Sequence, residues 1–397
     1  MAEIIELRQQ EFDARQLVRE LRRAVFEHED LEAIPKLAEA ERTLQDISNK
    51  RAAAETKEGV GYGQVVAIKP DTNLLGINTT GIEVKVDLRM AAIPTALVHT
   101  FDVKTQPLVA YRITSQESKR LRLISYVEGY SARAVDTVET EKLTPVELTQ
   151  LPTFFPDRLS SVTELTRASL NVEVQDLDAR TEVHKTVPVW LLARTTAPLQ
   201  VQDPSTGTWL DMTKYLGAFV TPNAPAIMKY LQVATSKHPN KRLVGYQGGE
   251  DEVFSQVRAV YEALGATGIK YVNSIIDFTP ESGSATQRVR LPRESIENTS
   301  ANCIDGTVLM ASLLEAVSLN PAIVIIPGHA FLAWETWRNS GTWRYVETTM
   351  VSSAPFEDAC ARGEQTAARW LASGADPAMF KRLSLRDLRA QGITPLE

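Results

Sequence analysis

The spacing of hydrophobic residues changes twice along the chain. In residues 1–57, Ile4, Leu7, Ala14, Val18, Leu21 and Val25 follow a heptad seam broken at Glu11. Beyond Pro35 a second seam runs through Leu37, Ala40, Leu44, Ile47 and Ala54. Two apolar stripes at this spacing predict two amphipathic helices, interrupted near the proline, as a helical hairpin or a short coiled coil. Packed on its own protein, such a hairpin is structural. Left free, it is an oligomerisation or docking arm.

From about residue 58 to 200 the period falls to two. Ile82, Val84, Val86 and Leu88 alternate with Glu83, Lys85 and Asp87, and Leu170, Val172 and Val174 alternate with Asn171, Glu173 and Gln175. Val187, Val189 and Leu191 close the series, and turn-rich clusters at 69–73 and 203–207 punctuate it. Short alternating strands with frequent turns predict one β-sandwich or two small ones, with the polar stretch 137–160 as the divider.

From about 201 to 397 the pattern is mixed. Pro225 opens a helix through Ile227, Tyr230 and Leu231, and Val253, Val257, Val260 and Leu264 mark another. A third begins near Cys303 and is apolar almost all round, through Ile304, Val308, Leu309, Met310, Leu313, Leu314 and Val317, which predicts a buried helix. Residues 322–326 (AIVII) read as a buried strand, Pro327-Gly328 as a break, residues 329–334 as strand again, and 343–347 as the strand that returns after Asn339-Ser340-Gly341. The fold class expected is α+β: a hairpin over 1–57, β-sandwich module or modules over 58–200, and a C-terminal α+β domain over 201–397.

Composition narrows the chemistry. The net charge of −7 and the 23% of charged residues are those of an ordinary globular chain and argue against a dedicated nucleic-acid binder. No stretch has the ~20 consecutive apolar residues of a membrane span, and the first residues lack the apolar core of a signal peptide. Two cysteines, Cys303 and Cys360, make no disulfide framework, so the cytoplasm is the expected location. The five histidines form no metal-binding spacing, and there is no nucleotide-binding glycine motif and no serine-hydrolase elbow. No metal and no cofactor are expected.

What remains is Cys303. Asn302 is a good N-cap, which places the thiol in the first turn of a helix, where the dipole and the free N–H groups favour thiolate and could hold an oxyanion. Asp305, two residues on, is assigned to capping the same turn. A cysteine nucleophile needs a base, and His329 lies on the strand after the cysteine helix. Glu347, on the returning strand, would orient the imidazole, although His329 is eleven residues before Ser340 and Glu347 only seven after it. Glu335 is the rival acid, but at about 3.3 Å per residue it lies roughly 20 Å along the strand from His329. Gln247 and Gln287 are candidates for an oxyanion-site side chain. Cys360, on a polar stretch with no histidine following, is assigned a structural role.

The segments Ala301-Asn302-Cys303-Ile304-Asp305-Gly306, Pro327-Gly328-His329-Ala330-Phe331-Leu332-Ala333-Trp334 and Trp343-Arg344-Tyr345-Val346-Glu347-Thr348-Thr349 resemble the core of the transglutaminase-like superfamily. The likeness covers about 50 residues tightly and 220–352 loosely. It implies a papain-like fold and a Cys-His-acid triad of Cys303, His329 and Glu347, acting on peptide or glutamine amide bonds. Two positions depart from the family pattern: glutamate stands at 347 where aspartate is usual, and asparagine at 302 where a small residue is usual.

Three functions follow as expectations. The first is a cysteine peptidase or amidase working through an acyl-enzyme. The second is a protein transamidase, in which an amine replaces water. The third is an inactive domain that serves as an interaction module. The partners expected are a protein substrate or a regulatory protein, with oligomerisation through residues 1–57; nucleic acid and membrane are not expected.

Overall fold

A computed structural model describes residues 2–26, 30, 32–58, 81–202, 209–272, 284–372 and 379–396. The chain is mixed α+β with several sheets and divides into two compact units. One unit joins residues 1–60, 207–276 and 288–397; the other joins 61–206 and 277–287. The turn clusters at 69–73 and 203–207 lie outside the described residues, apart from any element named below.

The first unit is built on a four-stranded antiparallel sheet in the order Trp343–Val346, His329–Glu335, Pro321–Ile326, Lys381–Ser384. Pro327-Gly328 is not a break within one strand. It closes a two-residue turn, with Ile326 paired to His329, and the chain reverses there. Gly328 has φ 75°, the left-handed value that the third residue of a type II turn requires, and proline suits the second position. The helix Cys303–Ala316 lies against both central strands. It is buried on all sides, as its sequence predicts. Within it, Thr307 and Ser312 satisfy their buried hydroxyls on carbonyls four residues back.

The N-terminal segment forms two helices, Ala2–Phe26 and Ala33–Glu58, that pack on each other. Pro35 does not interrupt them. It sits in the first turn of the second helix, where a missing N–H costs nothing, and the chain breaks before it. The apolar stripe is covered in cis: Val18, Val25, Leu37 and Ala40 share a core with Phe331, Tyr345 and Trp370. Residues 1–57 therefore belong to the same unit as the C-terminal residues rather than standing apart.

The second unit carries a three-stranded sheet, ordered Ile82–Leu88, Val109–Ser115, Val146–Gln150. It also carries a five-stranded sheet, ordered Ala92–Ile93, Thr181–Leu191, Thr166–Asp176, Lys119–Val127, Ala134–Thr140. Val84, Ile113, Leu123, Val172 and Val189, drawn from both, share one core. The polar stretch 137–160 does not divide two modules. It contains parts of both sheets, and its Gln150, buried, accepts from the Tyr111 hydroxyl and donates to the Leu123 carbonyl.

Candidate active site

The helix that carries Cys303 begins with a reciprocal cap. Asn302 Oδ1 accepts from the Asp305 amide at 2.9 Å, and Asp305 accepts from the Asn302 amide at 3.2 Å. Asp305 also accepts from the Arg290 amide at 2.8 Å and lies 3.8 Å from its guanidinium. Burial pushes its carboxyl above the usual range against these bonds. Asp305 is thus committed to the helix start, the structural role its spacing predicts. Cys303, one residue inside the cap, is half-buried.

His329 opens its strand directly after the Pro327-Gly328 turn. Its Nε2 donates to Glu347 Oε2 at 2.7 Å, and Cys303 hydrogen-bonds the same ring. Phe331, two residues along, stacks on the imidazole with ring centres 6.0 Å apart. Burial by itself would lower the imidazole. The Glu347 charge and the hydrogen bonds to Cys303 and Glu347 outweigh it and raise His329 to about 10.

Glu347 is buried and sits at the end of the returning strand, as the N-cap of a short turn of helix at Thr348–Met350. Burial would raise its carboxyl, but the His329 charge and hydrogen bonds from His329 and Thr349 hold it below its ordinary value. Its second oxygen accepts from the Thr349 amide at 3.1 Å and hydroxyl at 2.8 Å. The residue between them, Thr348, reaches the other side of the site. Its hydroxyl lies 3.1 Å from that of Thr307, and both hydroxyls donate to the Cys303 carbonyl, at 3.4 and 2.7 Å. Glu347-Thr348-Thr349 therefore bonds the His329 ring with its first residue, the Cys303 carbonyl with its second and the Glu347 carboxylate with its third.

Comparison with known proteins gives no further guide. No protein-family model matches the chain, and no curated protein matches it. The chemistry of the site is read from its own geometry.

Cys303, His329 and Glu347 are brought together. Glu335 is not part of the group: it is buried elsewhere and accepts from Asn320, the Gly341 amide and Arg386 at 2.9–3.0 Å. Gln247 is placed away from it as well. It follows Gly245, which abuts the Val317 carbonyl at the C-terminal end of the cysteine helix. A 14-residue helix separates that end from Cys303 by roughly 20 Å. Gln287 lies on the strand Ser284–Arg288, counted with the other unit. Cys360 is buried in the helix Phe356–Ala372, and burial pushes its thiol up to about 12, so it is a core residue. Among the described residues, no group of three or more His, Cys, Asp or Glu could hold a metal ion, and no helix is long and apolar enough to cross a membrane.

Residue-by-residue reading missed the three threonines and Tyr271. Thr349 had a local signal, since a hydroxyl two residues after an acid can hydrogen-bond it, and Thr307 another, since a helical hydroxyl can bond the carbonyl four residues back. Tyr271 had none. It reaches the site through a parallel bridge to Ala301, a pairing that no local pattern encodes.

Proposed function

We propose that this protein is a cysteine-dependent hydrolase of peptide or amide bonds, with a transglutaminase-like, papain-like catalytic domain formed by its C-terminal half. The carrying observation is the continuous line from the Cys303 thiol through the His329 ring to the Glu347 carboxylate. In chain order and element type the line follows the pattern that the sequence resembles: a cysteine opening a buried helix, a histidine on a strand, and an acid after the next strand.

The chemistry follows from roles at named atoms. The sulfur attacks the carbonyl carbon, and the carbonyl oxygen takes up the negative charge. The Asp305 and Gly306 amides are already used by Asn302, which leaves the Cys303 and Ile304 amides as first-turn donors for that oxygen. The imidazolium gives its proton to the departing amine, and a thioester remains on Cys303. Water, deprotonated by the neutral imidazole, then attacks the thioester, releasing the acid and returning the proton to the site. Glu347 keeps the ring in place and balances its charge throughout. An amine in place of water would give transamidation by the same first step.

The test is the rate at which iodoacetamide alkylates Cys303 near pH 7, mapped to the residue by peptide mass. The His329→Ala variant is expected to react at least about tenfold more slowly, since each pKa unit of lost ion pairing is a tenfold loss of attacking thiolate. An equal rate in the two proteins would refute the assignment. On any amide substrate, Cys303→Ser is expected to abolish turnover.

A further inference from the structure

Thr307 and Thr348 meet over a single carbonyl. Thr307 is on the cysteine helix, one turn after Cys303, and its hydroxyl donates to the Cys303 carbonyl at 2.7 Å. Thr348 is in the turn that Glu347 caps, 45 residues from Cys303 along the chain, and its hydroxyl reaches the same oxygen at 3.4 Å. The two hydroxyls are 3.1 Å apart, and both residues are buried.

A helical threonine that bonds the carbonyl four residues back is common and needs no function. The second hydroxyl is less ordinary. A helix carbonyl already takes the amide four residues on, so with Thr307 its two lone pairs are filled. The Thr348 hydroxyl is a third donor, brought to the nucleophile's backbone from the acid's turn. Packing does not call for it, since valine fills nearly the same volume without burying a hydroxyl.

The Cys303 carbonyl and the Ile304 amide belong to one peptide unit. The unit is trans and planar, so its N–H points opposite to its C=O. The hydroxyls hold the oxygen end. The other end is one of the two first-turn amides left for the carbonyl oxygen of a substrate. Donors on the oxygen draw electron density towards it and leave the N–H more positive, which strengthens the bond that the N–H makes in turn by about 10–30% per donor.

We propose that Thr307 and Thr348 are positioning residues of the oxyanion site. Their hydroxyls fix and polarise the Cys303–Ile304 peptide unit, so that the Ile304 amide meets the negative oxygen of the tetrahedral intermediate. The proposal rests on Cys303 being the nucleophile. It gives the two hydroxyls a part in acyl transfer and none in forming the thiolate.

The experiment compares two reactions of Cys303 in the full chain, each mapped to the residue by peptide mass. Alkylation by iodoacetamide expels iodide and makes no oxyanion. Acylation by p-nitrophenyl acetate puts the sulfur on the carbonyl carbon and moves the carbonyl electron pair to oxygen. The pair then returns, p-nitrophenolate leaves, and a thioester remains. Both reactions use the thiolate, so the ratio of acylation to alkylation rates cancels its amount and isolates the oxyanion. In the wild type that ratio is expected to exceed the ratio for glutathione at the same pH. A direct oxyanion donor is worth about a hundredfold to a thousandfold, and a bond that only strengthens a donor is expected to be worth about threefold. Thr307→Val and Thr348→Val are each expected to lower the ratio by about that factor, and Thr307→Ser and Thr348→Ser to keep it at the wild-type value. A wild-type ratio no higher than that of glutathione overturns the proposal, as does a ratio unchanged in both valine variants or lowered equally by serine. Failure of the nucleophile assignment reads out separately, as an iodoacetamide rate indifferent to His329→Ala.

Discussion

The hairpin that joins His329–Glu335 to Trp343–Val346 pairs Leu332 with Val346 and Glu335 with Trp343. It is therefore centred on Asn339 rather than Ser340, and position 347 continues opposite Phe331, on the same face as His329 but two residues along. Two residues of strand are roughly 6.6 Å. The glutamate side chain spans that diagonal and ends 2.7 Å from Nε2. Aspartate, shorter by one carbon–carbon bond of about 1.5 Å, would stop at roughly 4 Å. Glu347→Asp, conservative by charge, is thus expected to slow Cys303 alkylation nearly as much as Glu347→Gln does; a wild-type rate in the aspartate variant would contradict the register argument. The same pair links to stability. Glu347 is depressed, so its contribution is present above the ordinary value of 4.5 and is lost as pH falls through the folded-state value. His329 is raised, so its contribution is present below 6.5 and is lost as pH rises through about 10. The melting-temperature gap between wild type and Glu347→Gln is expected to be widest between pH 4.5 and 6.5 and to close at both extremes. The three site residues were legible in the sequence because each sits at an element boundary with its own signal: an N-cap, a Pro-Gly turn, a strand end. The distance between His329 and Glu347 was not legible, because register depends on where a loop folds back and not on residue type.

At the scale of elements, the N-terminal hairpin and His329 are linked through the Phe331 side chain. Phe331 stacks on His329 and also belongs to the core that Val18, Val25 and Leu37 complete. The two amphipathic helices were legible from their seams, but the surface they cover was not, since an apolar stripe does not name its partner. Removing residues 1–58 would uncover Phe331, Tyr345 and Trp370 together. The truncated protein is expected to melt at lower temperature and to alkylate more slowly at Cys303 even below its melting point, because the ring behind His329 loses its backing. A truncated protein with wild-type melting temperature and alkylation rate would show that the hairpin does not support His329.

At the scale of the whole molecule, the chain leaves its first unit after the hairpin, builds a β unit, and returns to complete the first. The alternation of the β strands was legible; that the 137–160 stretch belongs inside one module was not, because buried polar anchors such as Gln150 look like linker residues when read in isolation. The discontinuity also sets an order of events during synthesis. Leu37 leaves the ribosome roughly 300 residues before Phe331, which at about 5–20 residues per second is on the order of 15–60 s. Throughout that interval the helices have made their apolar stripe but not the sheet that covers it. Stalled chains ending before residue 320 are expected to be cut by protease within 1–58, while chains extended past 397 resist. The residues that back the His329 ring at the end are the ones left longest uncovered at the beginning.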